Sequence, residues 1–236
     1  MRVFKTITYK TIVLLTLIIL TFTFIGGLFI KKTSYESKKF TVVISRQFGS
    51  LGRPIAAKMS EILGVEYYDR DIVTMVAKEH NISISEVSNM EEKAIPYSFM
   101  KFPLGHGTTA AQDKVFNTEA KLIAELAEKE SCIFVGRCAD YILGDNPNNV
   151  NIFIYAPYED RLVNCVNSLG MDTKNAKKMI AEVDKAREAF HMRYAKYKPN
   201  DTDHMDIMIN SALLGVDGTA EYLCDIIKRK FADDAQ

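Results

Sequence analysis

The 236-residue chain has no tryptophan, no internal repeat and no low-complexity tract. With 47% apolar and 25% charged residues, it can build a sizeable core, and wholesale disorder is excluded. Cysteine is sparse. Cys132, Cys138, Cys165 and Cys224 form no CxxC pair and no metal-ligand spacing with the four histidines, His80, His106, His191 and His204. Neither a disulfide scaffold nor a metal site is expected, and the four thiols read as reduced and mostly buried. Net charge is also absent: 30 basic residues balance 30 acidic ones, which leaves no footprint for a nucleic-acid partner.

The balance hides an asymmetry. Residues 1–30 carry Arg2, Lys5 and Lys10 and no acid, leaving 27 basic against 30 acidic residues in the remainder. Residues 11–30 contain no charge and are bounded by Lys10 on one side and by Lys31 and Lys32 on the other. As a helix, this run is about 30 Å long, the thickness of a bilayer's hydrocarbon core. The following KKTSYESKK offers no small-x-small cleavage site, so an uncleaved membrane anchor is favoured over a signal peptide. The bias in flanking basic residues is slight. The side of the membrane on which the domain lies is therefore left to the domain's own chemistry. If the extension instead reflects a start codon placed too far upstream, the domain begins near Ser37 and is cytoplasmic. The expected division is an anchor and linker over 1–37 and one α/β domain over 38–236.

Within that domain, Phe40–Ser45, Val65–Tyr68, Cys132–Val135, Val150–Tyr155 and Asp206–Ile209 read as short strands rich in apolar residues. Helical patterns follow Pro54 up to Gly64, then cover Asp71–Glu79, Glu119–Lys129, Tyr158–Ser168, Thr173 to about Tyr194, and Thr219–Phe231. Ser83 and Glu86 have the spacing of a capping box, and Ile95–Thr109 reads as an irregular loop. Strands alternating with helices mean βαβ units, hence a parallel sheet of about five strands with helices on both faces.

The strongest local signal is Val42–Gly64, in the order strand, glycine turn, helix. Gly49 and Gly52 permit a tight turn whose N–H groups, with the helix N-terminus, face an anion. Gly49, Ser50, Gly52 and Arg53 are therefore candidate phosphate ligands. The lysine and hydroxyl that end a standard phosphate loop, G-x-x-x-x-G-K-[ST], are both missing. Arg53 and Pro54 stand in their places. Arg137 and Asp140 follow one strand and Asp69 and Arg70 another, where open α/β sheets bind ligands.

Taken together, ISRQFGSLGRPIA at 44–56, YYDR at 67–70, FVGRCADYIL at 134–143, IFIYAPYEDRL at 152–162 and DIMINSALLG at 206–215 resemble the cytidylate kinase-like family. The resemblance runs through Asp184, Lys185 and Arg187 and covers nearly all of residues 41–230. It implies a P-loop kinase fold with a mobile monophosphate-binding region and a lid. It further implies transfer of the γ-phosphoryl group of ATP, accompanied by Mg²⁺, to CMP or dCMP. On that basis Gly49–Arg53 hold the ATP phosphates, and Arg137, with Asp140, Asp69 and Arg70, holds the monophosphate. Arg187 and Arg193, with Arg53, meet the charge developing in transfer. The alternative is a membrane-tethered nucleotide-binding regulatory protein without kinase activity.

Overall fold

The computed structural model describes residues 39–69 and 109–232, all within the unit Lys38–Gln236. Among them, five strands form one parallel sheet: β1 (Thr41–Arg46), β2 (Glu66–Tyr68), β3 (Cys132–Val135), β4 (Asn149–Tyr155) and β5 (Ile207–Asn210). Their spatial order is β2-β3-β1-β4-β5, with Thr41 level with Cys132 on one side and Asn149 on the other. The helices are α1 (Gly52–Leu63), α2 (Thr109–Lys129), α3 (Ala139–Ile142), α4 (Tyr158–Asn167), α5 (Thr173–Tyr194) and α6 (Gly215–Phe231).

The period-2 alternation of β1 sorts its side chains to two faces. Val42 and Ile44 point to one core, with Ile133, Val135, Ile152 and Ile154 of neighbouring strands. Ile55 and Met59 of α1 and Leu223 and Ile227 of α6 close over them. Val43 points the other way, into Phe134, Ile123 and Ala127 of α2, and Ala139 of α3. Both faces are thus covered by helices, which is why the strands are almost continuously apolar. A third cluster joins α4 to α5 through Cys165, Ala176, Met179 and Ile180, and receives Phe48 from the turn after β1.

The sequence places all five strands to within a residue at either end. The helices differ more. The second helix starts at Thr109, ten residues before the expected Glu119, and the last at Gly215 rather than Thr219. Glycine at 215 and 218 masks the start of the latter, because glycine disfavours a helix interior. The four-residue α3 is too short to show periodicity and is absent from the sequence reading. The expected helix at 71–79, the capping box at 83 and 86, most of the loop at 95–109 and the apolar run at 11–30 lie outside the described residues. Among the described residues, no helix is long and apolar enough to cross a membrane. All four cysteines are buried and unpaired. Burial raises each thiol pKa, that of Cys132 to about 12 and that of Cys224 to about 11.

Candidate functional site: an arginine cluster at the glycine turn

The carboxyl end of β1 runs into the turn that leads to α1. Gly49 has φ +78, and a Cβ there would lie 2.7 Å from the carbonyl oxygen of Arg161. Leu51, the residue before α1, is also left-handed at φ 60 and offers no side-chain cap. The first turn of α1 carries the positive end of that helix's dipole.

The turn is fastened from behind. Gln47 N–H donates to Ile154 O at 3.0 Å, and Gln47 Oε1 accepts from Ala156 N–H at 3.2 Å. Asn164 Nδ2 donates to Gly49 O at 2.9 Å. Asp184 of α5 accepts the Phe48 N–H at 2.7 Å and binds Arg161 at 2.5 Å. Ser50 is fully buried. Its hydroxyl lies 2.9 Å from Gln47 O and 3.1 Å from Ile154 O, while its carbonyl accepts from Ser211 Oγ at 2.7 Å. The Ser50 side chain therefore shapes the turn from inside, so a phosphate role for Ser50 falls to its backbone and not to its hydroxyl.

In front of the turn lies a cluster of guanidinium groups. Arg46, the last residue of β1, lays its side chain over Gly52, where a Cβ would come within 2.8 Å of Arg46 Cβ. Its guanidinium reaches Gly136 beyond β3, where a Cβ would overlap Nη1. Arg53 pairs closely with Asp69, and Arg46 stands 3.7 Å from the same carboxylate. Arg187 of α5 donates from Nη1 to the carbonyl oxygen of Arg46 at 3.0 Å. Burial drives the pKa of Arg46 well below its ordinary value, and Arg187, Arg53 and Arg137 push the same way against Asp69. Burial likewise lowers Arg187 to about 10, with Arg53 adding to the fall and Asp184 opposing it. Mutual depression of cations marks a region of positive potential.

The β3 side contributes a strained turn. Gly136, Arg137 and Cys138 have φ of 78, 60 and 53, three consecutive left-handed residues. For the two non-glycine residues this costs about 1–2 kcal/mol each, and such strain concentrates at functional sites. Arg137 contacts the buried Glu119 of α2 at 3.3 Å.

Of the residues singled out from the sequence, Arg53, Asp69 and Arg187 converge with Arg46, and Arg137 couples electrostatically to it. Asp140 does not join them. It is buried, accepts from His191 at 2.8 Å and from the Tyr197 hydroxyl at 2.9 Å, and faces the end of α5. Arg193 is also elsewhere. It binds Asp113 of α2 at 2.8 Å and lies over the ring of Tyr194. Six residues along a helix turn about 240° from the starting face, so Arg187 and Arg193 cannot point to one place. Arg70 lies outside the described residues. Arg46 escaped the sequence reading, although an arginine closing an apolar strand just before a glycine turn was a legible signal.

Magnesium carried with ATP would need oxygen ligands here. Asp69 is engaged by two arginines, Asp184 by Arg161 and a backbone N–H, and the Ser50 hydroxyl is turned inward. No group of three or more potential metal-ligating side chains occurs among the described residues. The described residues therefore do not fit a protein-held Mg²⁺.

An uncharacterized protein from Eubacterium ventriosum shares this fold, with a TM-score of 0.60 and 25% identity over 83% of this chain and 99% of its own. A gluconokinase from Sinorhizobium meliloti (TM-score 0.49, 11% identity, 84% and 100% coverage) and shikimate kinase from Aquifex aeolicus (0.44, 17%, 83% and 98%) are more distant. A comparison with curated proteins gave no significant match. The profile of the cytidylate kinase-like family matches residues 41–213, a span that runs from β1 through the glycine turn and α5 to the end of β5. With the motifs quoted from the sequence all inside or overlapping that span, the chain belongs to the cytidylate kinase-like family.

Proposed function

We propose that this protein transfers the γ-phosphoryl group of ATP to a nucleoside monophosphate, with CMP or dCMP as acceptor by its family resemblance. The observation that carries the reading is the gathering of Arg46, Arg53 and Arg187 at the turn after β1, with Arg137 coupled to them from the turn after β3. Phosphoryl transfer needs positioning and neutralisation of charge more than covalent chemistry. The turn from Gly49 to Arg53 would receive the donor phosphates on its N–H groups. Arg137 and Asp69 would stand on the acceptor side, and Arg187 would meet the charge spread over the moving phosphoryl group. Mg²⁺ would supply charge neutralisation as part of the ATP complex, held by phosphates and water.

Incubating the protein with Mg-ATP and each nucleoside monophosphate in turn should release ADP with CMP or dCMP. A second reading is favoured by the missing lysine and hydroxyl and by the engaged carboxylates: a nucleotide-binding regulatory protein without transferase activity. ATP binding with no ADP from any acceptor would establish that reading and end the first. In either case residues 11–30 would anchor the chain in a membrane with the domain on the cytoplasmic side, by their length and lack of charge.

A further inference from the structure

We infer that Arg46 is the phosphate-binding cation of this turn, standing with Arg187 where a standard phosphate loop places its lysine, and that their ligand is the polyphosphate chain of a nucleoside triphosphate. The inference rests on the function proposed above for its ligand class, and it adds a residue that the motif does not contain.

Space is the first argument. Glycines on two different elements, Gly52 at the start of α1 and Gly136 after β3, border the Arg46 side chain so closely that a Cβ at either would collide with it. Gly52 does not have the positive φ that would demand glycine for its backbone, and the nearest atoms that a Cβ there would meet are all those of the Arg46 side chain. The molecule keeps room for a guanidinium at the crevice floor.

Charge is the second. A buried arginine is tolerated when a carboxylate pairs with it at hydrogen-bond distance. The nearest oxygen of Asp69 is 3.7 Å from Arg46, while Arg53 makes the close contact with that carboxylate. Among the described residues, Arg187 has no carboxylate within salt-bridge reach, and its hydrogen bond goes to the Arg46 peptide oxygen. Arg46 side-chain exposure is 13%, against 41% for Arg53. Of the two arginines at Asp69 the more buried is thus the less closely paired, the reverse of what a structural ion pair requires, while Arg187 meets a peptide oxygen in place of a carboxylate. Their depressed pKa values point the same way. An anion of several charges, entering between Arg46, Arg187 and the N-terminus of α1, would supply the carboxylate-like partner that Arg187 lacks and a closer one than the Asp69 oxygen that Arg46 shares with Arg53.

The test uses the full-length protein, inorganic tripolyphosphate as probe, and melting temperature as readout. Wild type should be stabilised by tripolyphosphate in a saturable manner, and the absence of any such response would overturn the inference. Arg46→Gln should weaken tripolyphosphate about ten- to a hundredfold, the scale of one charge-assisted hydrogen bond. It should melt, without ligand, no lower than wild type, because it removes a poorly paired buried charge. Undiminished tripolyphosphate binding by Arg46→Gln would overturn the inference. If that variant fails to fold, Arg187→Gln decides: a folded variant with lost response supports the inference, and a wild-type response sinks it. The proposed kinase activity is judged separately. Arginine-dependent tripolyphosphate binding without ADP formation removes the kinase and leaves the inference standing. ADP formation unaffected by Arg46→Gln does the opposite.

Discussion

Replacing lysine by arginine at a phosphate site changes geometry more than charge. A lysine ammonium is a compact point charge, whereas a guanidinium is a planar fork that engages two oxygens at once and remains charged when buried. The residues here use that difference: Arg53 spends its fork on Asp69, and Arg46 threads between two glycines. Arg137 shows the same logic on the acceptor side, where its left-handed backbone aims the side chain from the end of β3. Arg137→Gly is the informative change, because glycine accepts φ 60 without strain. The relief of about 1–2 kcal/mol opposes the cost of leaving the buried Glu119 carboxylate without this contact, so the variant should be less stable than wild type but still fold. The KM for the monophosphate should rise about tenfold or more while that for ATP stays constant, as expected when a charge-assisted contact to one substrate is lost. A variant that unfolds, or that loses both substrates equally, would show the arginine to be part of the scaffold. Gly49, Gly52, Arg53, Asp69 and Arg137 were legible because turn chemistry and strand ends are local properties. The orientation of Asp140 was not, since its partners His191 and Tyr197 lie more than fifty positions further along the chain.

At the scale of an element, α5 organises the site. Asp184, Arg187 and His191 stand at i, i+3 and i+7, one stripe of the helix. Along that stripe the first fastens the glycine turn, the second holds the end of β1, and the third reaches α3. Arg193 falls off the stripe, which helical periodicity could have indicated from the sequence. His191 is the anchor of the far end. Its Nε2 faces the Asp140 carboxylate at 2.8 Å and its Nδ1 the Tyr197 carbonyl at 2.8 Å. Both partners are acceptors, so the ring can donate to both at once only as an imidazolium. Burial opposes that charge, but the hydrogen bond and charge of Asp140 outweigh it and raise the pKa above the ordinary value. A histidine whose folded pKa is raised stabilises the fold fully below its unfolded pKa of about 6.5, and loses that contribution as pH rises through the folded value. His191→Gln should therefore lower the melting temperature more at about pH 6 than at about pH 9, relative to wild type at the same pH. An equal loss at both would mean that the ring acts by packing alone, against Tyr197, which meets it edge-on.

For the whole molecule, the alternation of strands and helices dictated a parallel sheet, yet strand order is a long-range property that no local pattern encodes. The observed order puts β1 at the centre, with β3 and then β2 on one side and β4 and then β5 on the other. The chain's winding thus changes direction at β1, and the crevice outside its carboxyl end is where such sheets bind ligands. The same architecture bears on the N-terminal extension. Helices α1 and α6 cover one face of the sheet and α2 and α3 the other, and Phe40 stacks on Phe231 at 5.0 Å where β1 begins. These clusters are built from residues from Phe40 onward, so a chain lacking residues 1–36 retains every buried contact described for the domain. Such a chain should melt cooperatively and remain in the supernatant after ultracentrifugation, whereas the full-length protein should sediment with membranes and be released by detergent. Full-length protein in the supernatant would remove the anchor. Aggregation of the shortened chain would mean that the apolar run at 11–30 is needed to cover the domain, and the division at residue 37 would then be wrong.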